Sequence, residues 1–441
     1  MDISNRQILQ IALPISLAIL VPQINFITNN IFLGHYGEKY LALAGITGVY
    51  YLIFAVVGNG LNNGLQALIA RRAGEDRVEE IGRLFSQGVR ISFFCAAIGI
   101  AATYFIAPFV LKLSLNSAPL RQEAIGFLKV RIWGLPLLYL YQMRNALLVG
   151  TNQSRYLIVG TLSETIVNII LDYALIFGHL GMPHLGFTGA AVASIIAEGT
   201  GMMAVLLVIR VTGIGKNLHL HKKNGFDWKT TRLILVQSSP LIFQYAISII
   251  SWEFFYILIE HHGERDLAIS NTMRNIFGLF GVFTWSFAAT TSTMVSNVIG
   301  QGRKEEVFHL INKIIRLSLV FAATVALLLN IVPRVFLSVY GQNQAFIEAA
   351  IPVIRVISSA LILMSFSTIW LNAVAGTGNT TVNLSIELIT IVFYCLYVYL
   401  VLQLFNLPIL YGWMSEWVYW TSTFTFSYLY MKSGRWKKKV I

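Results

Sequence analysis

Long apolar stretches alternate with short polar intervals along the whole chain. Twelve such stretches lie near 8–33, 41–69, 88–111, 127–149, 157–178, 187–209, 233–259, 267–299, 312–337, 347–375, 382–404 and 408–431. Each is long enough to cross about 30 Å of hydrocarbon as a helix. Several exceed that length, which implies tilt or extension beyond the bilayer. The runs are too long for membrane strands and lack the alternation of period two that strands require. The pattern predicts an all-α polytopic membrane protein with twelve transmembrane helices.

Composition narrows the class. The chain has 441 residues, 56% of them hydrophobic and only 12% charged, with a mean hydropathy of +0.68. Disorder requires low hydrophobicity and high charge, so it is excluded. Two ordinary soluble domains could not hide this much apolar surface, which sets aside a soluble enzyme. The two cysteines, Cys95 and Cys395, both sit in apolar runs and read as small packing residues. The first apolar segment has no small-residue cleavage site before it and reads as a retained span rather than a leader.

Net charge is +12. In a membrane protein such an excess marks cytoplasmic loops and anionic-lipid contact rather than nucleic acid. Arg6, Arg71, Arg72, Arg77, Arg83, Arg155, Lys216, Lys222, Lys223, Arg303, Lys304 and the tail Lys437–Lys439 fall on one side of a twelve-span topology. Lys39, Lys112, Arg121 and Arg265 fall on the other. Both termini are therefore expected in the cytoplasm. The interval 210–232 carries six basic residues near the midpoint of the chain. It reads as a basic cytoplasmic linker between an N-terminal six-helix lobe (1–209) and a C-terminal one (233–431), with a basic tail over 432–441.

The two halves repeat. A shift of 226 residues aligns Pro14 with Pro240, and His35, Gly37, Glu38, Leu41 and Ala42 with His261, Gly263, Glu264, Leu267 and Ala268. Gly74, Arg77, Glu79 and Glu80 meet Gly300, Arg303, Glu305 and Glu306, and Gly150-Thr151 meets Gly376-Thr377. Six spans per repeat give both halves the same topology, related by an axis along the membrane normal. That is an architecture of transporters.

Several motifs then become recognisable. Thr28-Asn29-Asn30-Ile31-Phe32-Leu33-Gly34-His35-Tyr36-Gly37-Glu38, Gly64-Leu65-Gln66-Ala67-Leu68-Ile69-Ala70-Arg71-Arg72-Ala73-Gly74-Glu75, Asn168-Ile169-Ile170-Leu171-Asp172-Tyr173, Gly186-Phe187-Thr188-Gly189-Ala190-Ala191 and Ser296-Asn297-Val298-Ile299-Gly300-Gln301-Gly302 occur in this order. Together the set resembles the MATE (multidrug and toxic compound extrusion) transporters, closest to a DinF-like bacterial branch. The resemblance implies two pseudo-symmetric six-helix lobes in a V shape, in a bacterial cytoplasmic membrane. It also implies export of organic cations, drugs or metabolites against H⁺ or Na⁺. One position departs from the family: Asn29 stands where an Asp is usual, so half of the expected carboxylate pair with the fifth span is missing.

Polar groups within spans are the candidate chemistry, since a mid-membrane charge costs about 2.5–3.5 kcal/mol on insertion scales. Glu164, Asn168 and Asp172 are spaced to share one helix face. Asp172 can take up a proton or add charge to a sodium site, with Asn168 orienting it. Asn29 can contribute an amide oxygen. Ser194 and Glu198 lie four apart on the sixth span and extend the same coupling-ion set. No other metal and no cofactor is expected. For the substrate, Glu253 stands among Trp252, Phe254, Phe255 and Tyr256, a carboxylate among rings that suits an organic cation, or that could instead carry the coupling ion in place of the absent first-span Asp. Tyr139, Met143, Trp285 and Phe366 are further candidates for the cavity lining, and each also reads as a packing or lipid-facing residue. Glu387 and Glu416 are weaker candidates.

Other function classes find less support. Gly-x-Ser-x-Gly, His-Glu-x-x-His and a Walker loop are all absent, so neither an intramembrane enzyme nor an ATP-driven pump is indicated. A lipid-linked precursor flippase would need a strongly basic cavity. The in-span basic residues are few: Lys129, Arg131, Arg144, Arg274, Arg316 and Arg355. The expected protein is a monomeric secondary-active exporter that meets small molecules, H⁺ or Na⁺, and membrane lipids. If Asn29 preserves the geometry of a coupled site, Asn29→Asp shifts the pH profile of transport; an unchanged profile counts against a coupled site there.

Overall fold

The computed structural model describes residues 1–114, 117–220, 225–338 and 343–439. Lys222 and Lys223 of the linker and the last two residues of the tail lie outside the described residues. In chain order the helices are α1 (Asn5–Tyr36), α2 (Glu38–Gly74), α3 (Val78–Ser114), α4 (Ala118–Arg131), α5 (Leu135–Gly150), α6 (Leu157–Phe177), α7 (Phe187–Val211) and the short α8 (Ile214–Asn217). They continue as α9 (Trp228–Glu260), α10 (Glu264–Gly300), α11 (Val307–Ile331), α12 (Pro333–Ser338), α13 (Gln344–Gly376), α14 (Thr380–Val398), α15 (Ile409–Trp413) and α16 (Ser415–Lys432). No strand occurs among the described residues.

These helices make the twelve expected passes. Ten are long and apolar enough to cross a bilayer. The other two are α10, whose second half buries Thr290, Thr291, Thr293, Ser296 and Asn297, and the pair α15–α16. Large apolar side chains such as Phe26, Phe94, Phe105, Leu207 and Val211 stand exposed. Hydrocarbon tolerates that surface, whereas water would drive it to associate.

Two breaks have local causes. Pro136 has no N–H to donate, and its ring clashes with the carbonyl four residues earlier. The fourth pass accordingly tightens into a single 3₁₀ turn over Ile132–Gly134. The helix α9 opens on Asp227, whose carboxylate accepts from the Lys229 amide at 3.0 Å and the Thr230 hydroxyl at 2.5 Å. The Lys229 bond satisfies a backbone donor that a helix N-terminus leaves open.

The chain packs as two units, Leu17–Ile242 and Met1–Ser16 with Phe243–Ile441. The breaks at 16 and 242 are 226 residues apart, the repeat offset, and each divides the opening helix of a repeat. Within the first unit, α2 receives the first half of α9 at two glycines. A Cβ on Gly60 would lie 2.8 Å from the Ile242 amide nitrogen, and one on Gly64 would lie 2.9 Å from Ser238 Cα. In the second unit α13 is central and packs on α10, α11 and α16, burying Ile354, Ile357, Ala360 and Met364.

The repeat is also physical. A Cβ on Gly150 would meet Ile69 at 2.7 Å and the Gln66 carbonyl at 3.0 Å; one on Gly376 would meet the Ser292 carbonyl at 2.6 Å and Val295 at 3.1 Å. Residues 66 and 69 correspond to 292 and 295 at the repeat offset, so equivalent glycines admit equivalent helices. Adding one methyl at Gly376 forces backbone apart, and overpacking costs about 1–3 kcal/mol. Gly278, inside α10, has open space around it, and there Ala gains up to about 1 kcal/mol of helix propensity. Thermal unfolding in detergent should therefore show Gly376→Ala lowering the midpoint and Gly278→Ala holding or raising it.

Candidate functional site

In the unit Leu17–Ile242, α6 turns Asn168 and Asp172 fully inward. Asp172 is 0% and Asn168 2% exposed. Neither carboxyl oxygen of Asp172 has a hydrogen-bond partner, nor has the Asn168 amide nitrogen. A buried carboxylate without a donor is costly in its ionised form.

One fixed cation stands nearby. Arg131, the last residue of α4, projects from just before the Pro136 kink. Its two terminal nitrogens reach Glu198 of α7, Nη1 to Oε2 at 3.0 Å and Nη2 to Oε1 at 2.5 Å. This is the paired geometry that makes an Arg–carboxylate bond strong. The guanidinium carbon lies 3.9 Å from the centroid of the Tyr51 ring, which adds cation–π attraction. Arg131 also acts electrostatically on Glu164 and Asp172. Three carboxylates thus share one guanidinium, which is already bonded to one of them. Gly134 and Gly201 leave room for the cluster: a Cβ on Gly134 would meet Arg131 Nη1 and Glu198 Oε2, each at 2.5 Å, and one on Gly201 would meet Glu164 Cβ at 3.0 Å.

Asn29 lies half-buried on α1, and its side-chain oxygen is shut from solvent with no partner. The Phe32 and Tyr173 rings, 6.2 Å apart, join α1 to α6 beside these residues. No hydrogen bond links Asn29 to Asp172, since the accepting oxygens of both are unpartnered. Ser194 is half-buried one turn before Glu198.

The second unit has its own buried carboxylates. Glu387 on α14 accepts from Ser248 Oγ at 2.6 Å and from the Tyr419 hydroxyl. Glu416 at the start of α16 accepts from the Trp420 indole at 2.9 Å and, at 3.4 Å, from that of Trp252. Glu253 is exposed, whereas its neighbour Tyr256 is buried and donates to the Ser270 carbonyl at 3.2 Å. Arg274 stands over the Trp252 and Tyr256 rings at 5.5 and 5.3 Å. The rings around position 253 thus serve Glu416 and Arg274 and not the Glu253 carboxylate.

The remaining candidates are spread over both units. The Tyr139 hydroxyl is spent on the Phe54 carbonyl at 2.8 Å, and Met143 is fully buried. Phe366 packs edge-on against Phe424 at 5.1 Å. Trp285 is 37% exposed.

Sequence reading missed Arg131 as the centre of the N-terminal cluster, and Tyr51 with it. The repeat holds the signal. At the offset of 226, Arg131, Tyr51, Glu164 and Asp172 correspond to Ile357, Phe277, Thr390 and Val398. Three of those four counterparts are buried hydrophobic residues. The scaffold is duplicated and the charge is not.

Comparison with known proteins agrees with this architecture. The MatE family model matches residues 14–174 and again 240–400, two matches whose starts are 226 residues apart. A probable multidrug resistance protein NorM from Thermotoga maritima is 23% identical over 440 residues, covering 99% of this chain and 94% of that protein. Among solved structures, a MATE protein in complex with MaL6 superposes with a TM-score of 0.88 at 15% identity, covering 98% of this chain and 97% of the other. An outward-facing multidrug resistance MATE transporter of the MOP superfamily gives 0.86 at 17% identity, with 99% and 97% covered. A MOP superfamily transporter from Pyrococcus furiosus, described by a binding pocket of reverse polarity, gives 0.85 at 16% identity, with 98% and 97% covered.

Breaking a buried ion pair by removing one partner costs about 3–5 kcal/mol, whereas removing both leaves no stranded charge. Arg131→Met should therefore lower the unfolding midpoint in detergent strongly. The double variant Arg131→Met/Glu198→Met should recover most of that loss.

Proposed function

The chain belongs to the MatE family, and from that premise we propose that it is a secondary-active exporter of organic cations or related metabolites, driven by inward movement of H⁺ or Na⁺. The observation that carries the coupling site is Asp172, fully buried with both carboxyl oxygens unpartnered. Antiport follows from competition for charge. With H⁺ or Na⁺ bound, the Asp172 site is neutral and fits its dry surroundings. When that ion leaves, the carboxylate needs another cation, and an organic cation supplies it. The two ligands then exclude one another, and alternating access of the two units converts a gradient of one into movement of the other.

In this reading Arg131 keeps Glu198 neutralised, which leaves Glu164 and Asp172 as the two carboxyls of the cluster whose charge mobile cations set. Asn29 contributes geometry without charge, Asn168 orients Asp172, and Ser194 extends the set. Glu253, Trp252, Tyr256, Tyr139, Met143, Trp285 and Phe366 are the residues proposed to meet substrate. The protein works as a monomer in the bacterial inner membrane with both termini in the cytoplasm, where the basic loops contact anionic lipid. The family is one of transporters, and no catalytic role is proposed.

A second reading places coupling in the other unit, and it is favoured by Glu387, whose Oε1 accepts from Ser248 and Tyr419 while its Oε2 is buried with no partner. A flippase for lipid-linked precursors is less supported. Of the in-span basic residues, Arg131 is bonded to Glu198, Arg144 donates to the Met202 carbonyl, and Lys129 and Arg274 lie against rings. Binding of a lipid pyrophosphate would favour it nonetheless.

The test is efflux of a fluorescent organic cation from proteoliposomes, with H⁺ and Na⁺ gradients imposed separately. Wild type should respond to one gradient, and Asp172→Asn should lose at least tenfold of the driven rate, about 1.4 kcal/mol. Driven efflux that survives Asp172→Asn and disappears in Glu387→Gln moves the coupling site to the second unit.

A further inference from the structure

The unit Leu17–Ile242 contains an open cavity of about 310 Å³ at the end where α1 turns into α2, walled in part by the segment between α6 and α7. Its walls include Tyr36 at the end of α1, Tyr40 in the first turn of α2, Glu123 of α4, and His184 and Phe187 at the entry to α7. The rings form a continuous set. Tyr36 is 4.6 Å from Tyr40 and 5.7 Å from His184, and Tyr40 is 5.7 Å from Phe187, centroid to centroid.

The carboxylate in this wall is only half used. Glu123 Oε1 accepts from the Lys39 ammonium at 2.9 Å. Its Oε2 is closed off from solvent and has no partner. The same Lys39 ammonium sits 4.6 Å from the centroid of the Tyr40 ring. Hydrogen bonding to Glu123, then to Tyr40, raises the Lys39 pKa, so the amine stays charged.

We propose that this cavity is a binding site for small organic ammonium ions, and that Lys39 is its tethered competitor. Aromatic faces around one carboxylate are how a protein recognises an ammonium without reading the rest of the molecule. The volume lies at the lower end of the range for small-molecule sites. The Lys39 ammonium already makes the two contacts that such a ligand would make, one to the acid and one to a ring. Its side chain is 48% exposed, so it can swing into water when a ligand displaces it. The ligand then takes the place of Lys39 beside Glu123 Oε1. The site's part in transport rests on the exporter reading: it would hold a cation at one mouth of the protein, apart from the coupling carboxylate. Binding itself does not rest on that reading.

The experiment is calorimetric titration of the full-length protein in detergent with tetramethylammonium and tetraethylammonium. Thermal unfolding checks that each variant is folded. Lys39→Met removes the competitor and should tighten binding about tenfold, while Glu123→Gln and Tyr40→Leu should each weaken it about tenfold. Affinity unchanged in Lys39→Met overturns the proposal even if the other variants fail to fold. Binding that Asp172→Asn abolishes and Glu123→Gln leaves intact also overturns it, because the ligand then sits at the coupling site. If the expected pattern appears but no ion gradient drives efflux, the exporter reading fails and this site stands.

Discussion

A carboxylate buried in a low-dielectric interior must have a partner, and the arrangement of this protein follows from how each one is supplied. Glu198 is given a guanidinium with two parallel bonds. Glu387 is given hydroxyls on one oxygen while its other is buried unpartnered, and Glu416 is given indole N–H groups. Asp172 is given no hydrogen-bond donor. Where partners are complete, a charge is structural and fixed. Where they are missing, we propose that a mobile cation serves.

The duplicated scaffold lets Asp172, with both its oxygens unpartnered, stand out. Both repeats use the same glycine-to-helix contacts at Gly150 and Gly376, and both divide their opening helix at the same register. Neither feature carries chemistry. At the positions that build the Arg131 cluster the second repeat places Ile357, Phe277 and Val398 in its packed interior. Duplication fixed the packing problem once, and the buried charges were then free to differ between the copies. The second unit developed another polar centre on α14 and α16, made with neutral donors.

The same logic operates at the cavity near Lys39. There a charged side chain satisfies half a carboxylate and leaves the other oxygen unpaired. Close to the membrane surface a tethered lysine can exchange with water. The Arg131 guanidinium, packed against Tyr51 and held by both oxygens of Glu198, has no such freedom.

Hydropathy determined the twelve passes and the all-helical class, and residue identities at a constant offset determined the repeat, because both are written directly in the chain. It also marked Asp172 and Asn168, since a charge and an amide on one face of an apolar helix need a reason wherever they point. It could not show that Arg131 belongs to Glu198. Those residues are 67 apart on different helices, and their meeting depends on the 3₁₀ turn at Ile132–Gly134 and on how α4 packs against α7. Nor could it show that Trp252 serves Glu416 while the adjacent Glu253 stays exposed: neighbours on a helix point about 100° apart, and only packing decides which of them turns inward. Partnership between buried polar groups is a property of helix faces brought together, and that is what the tertiary structure alone decided.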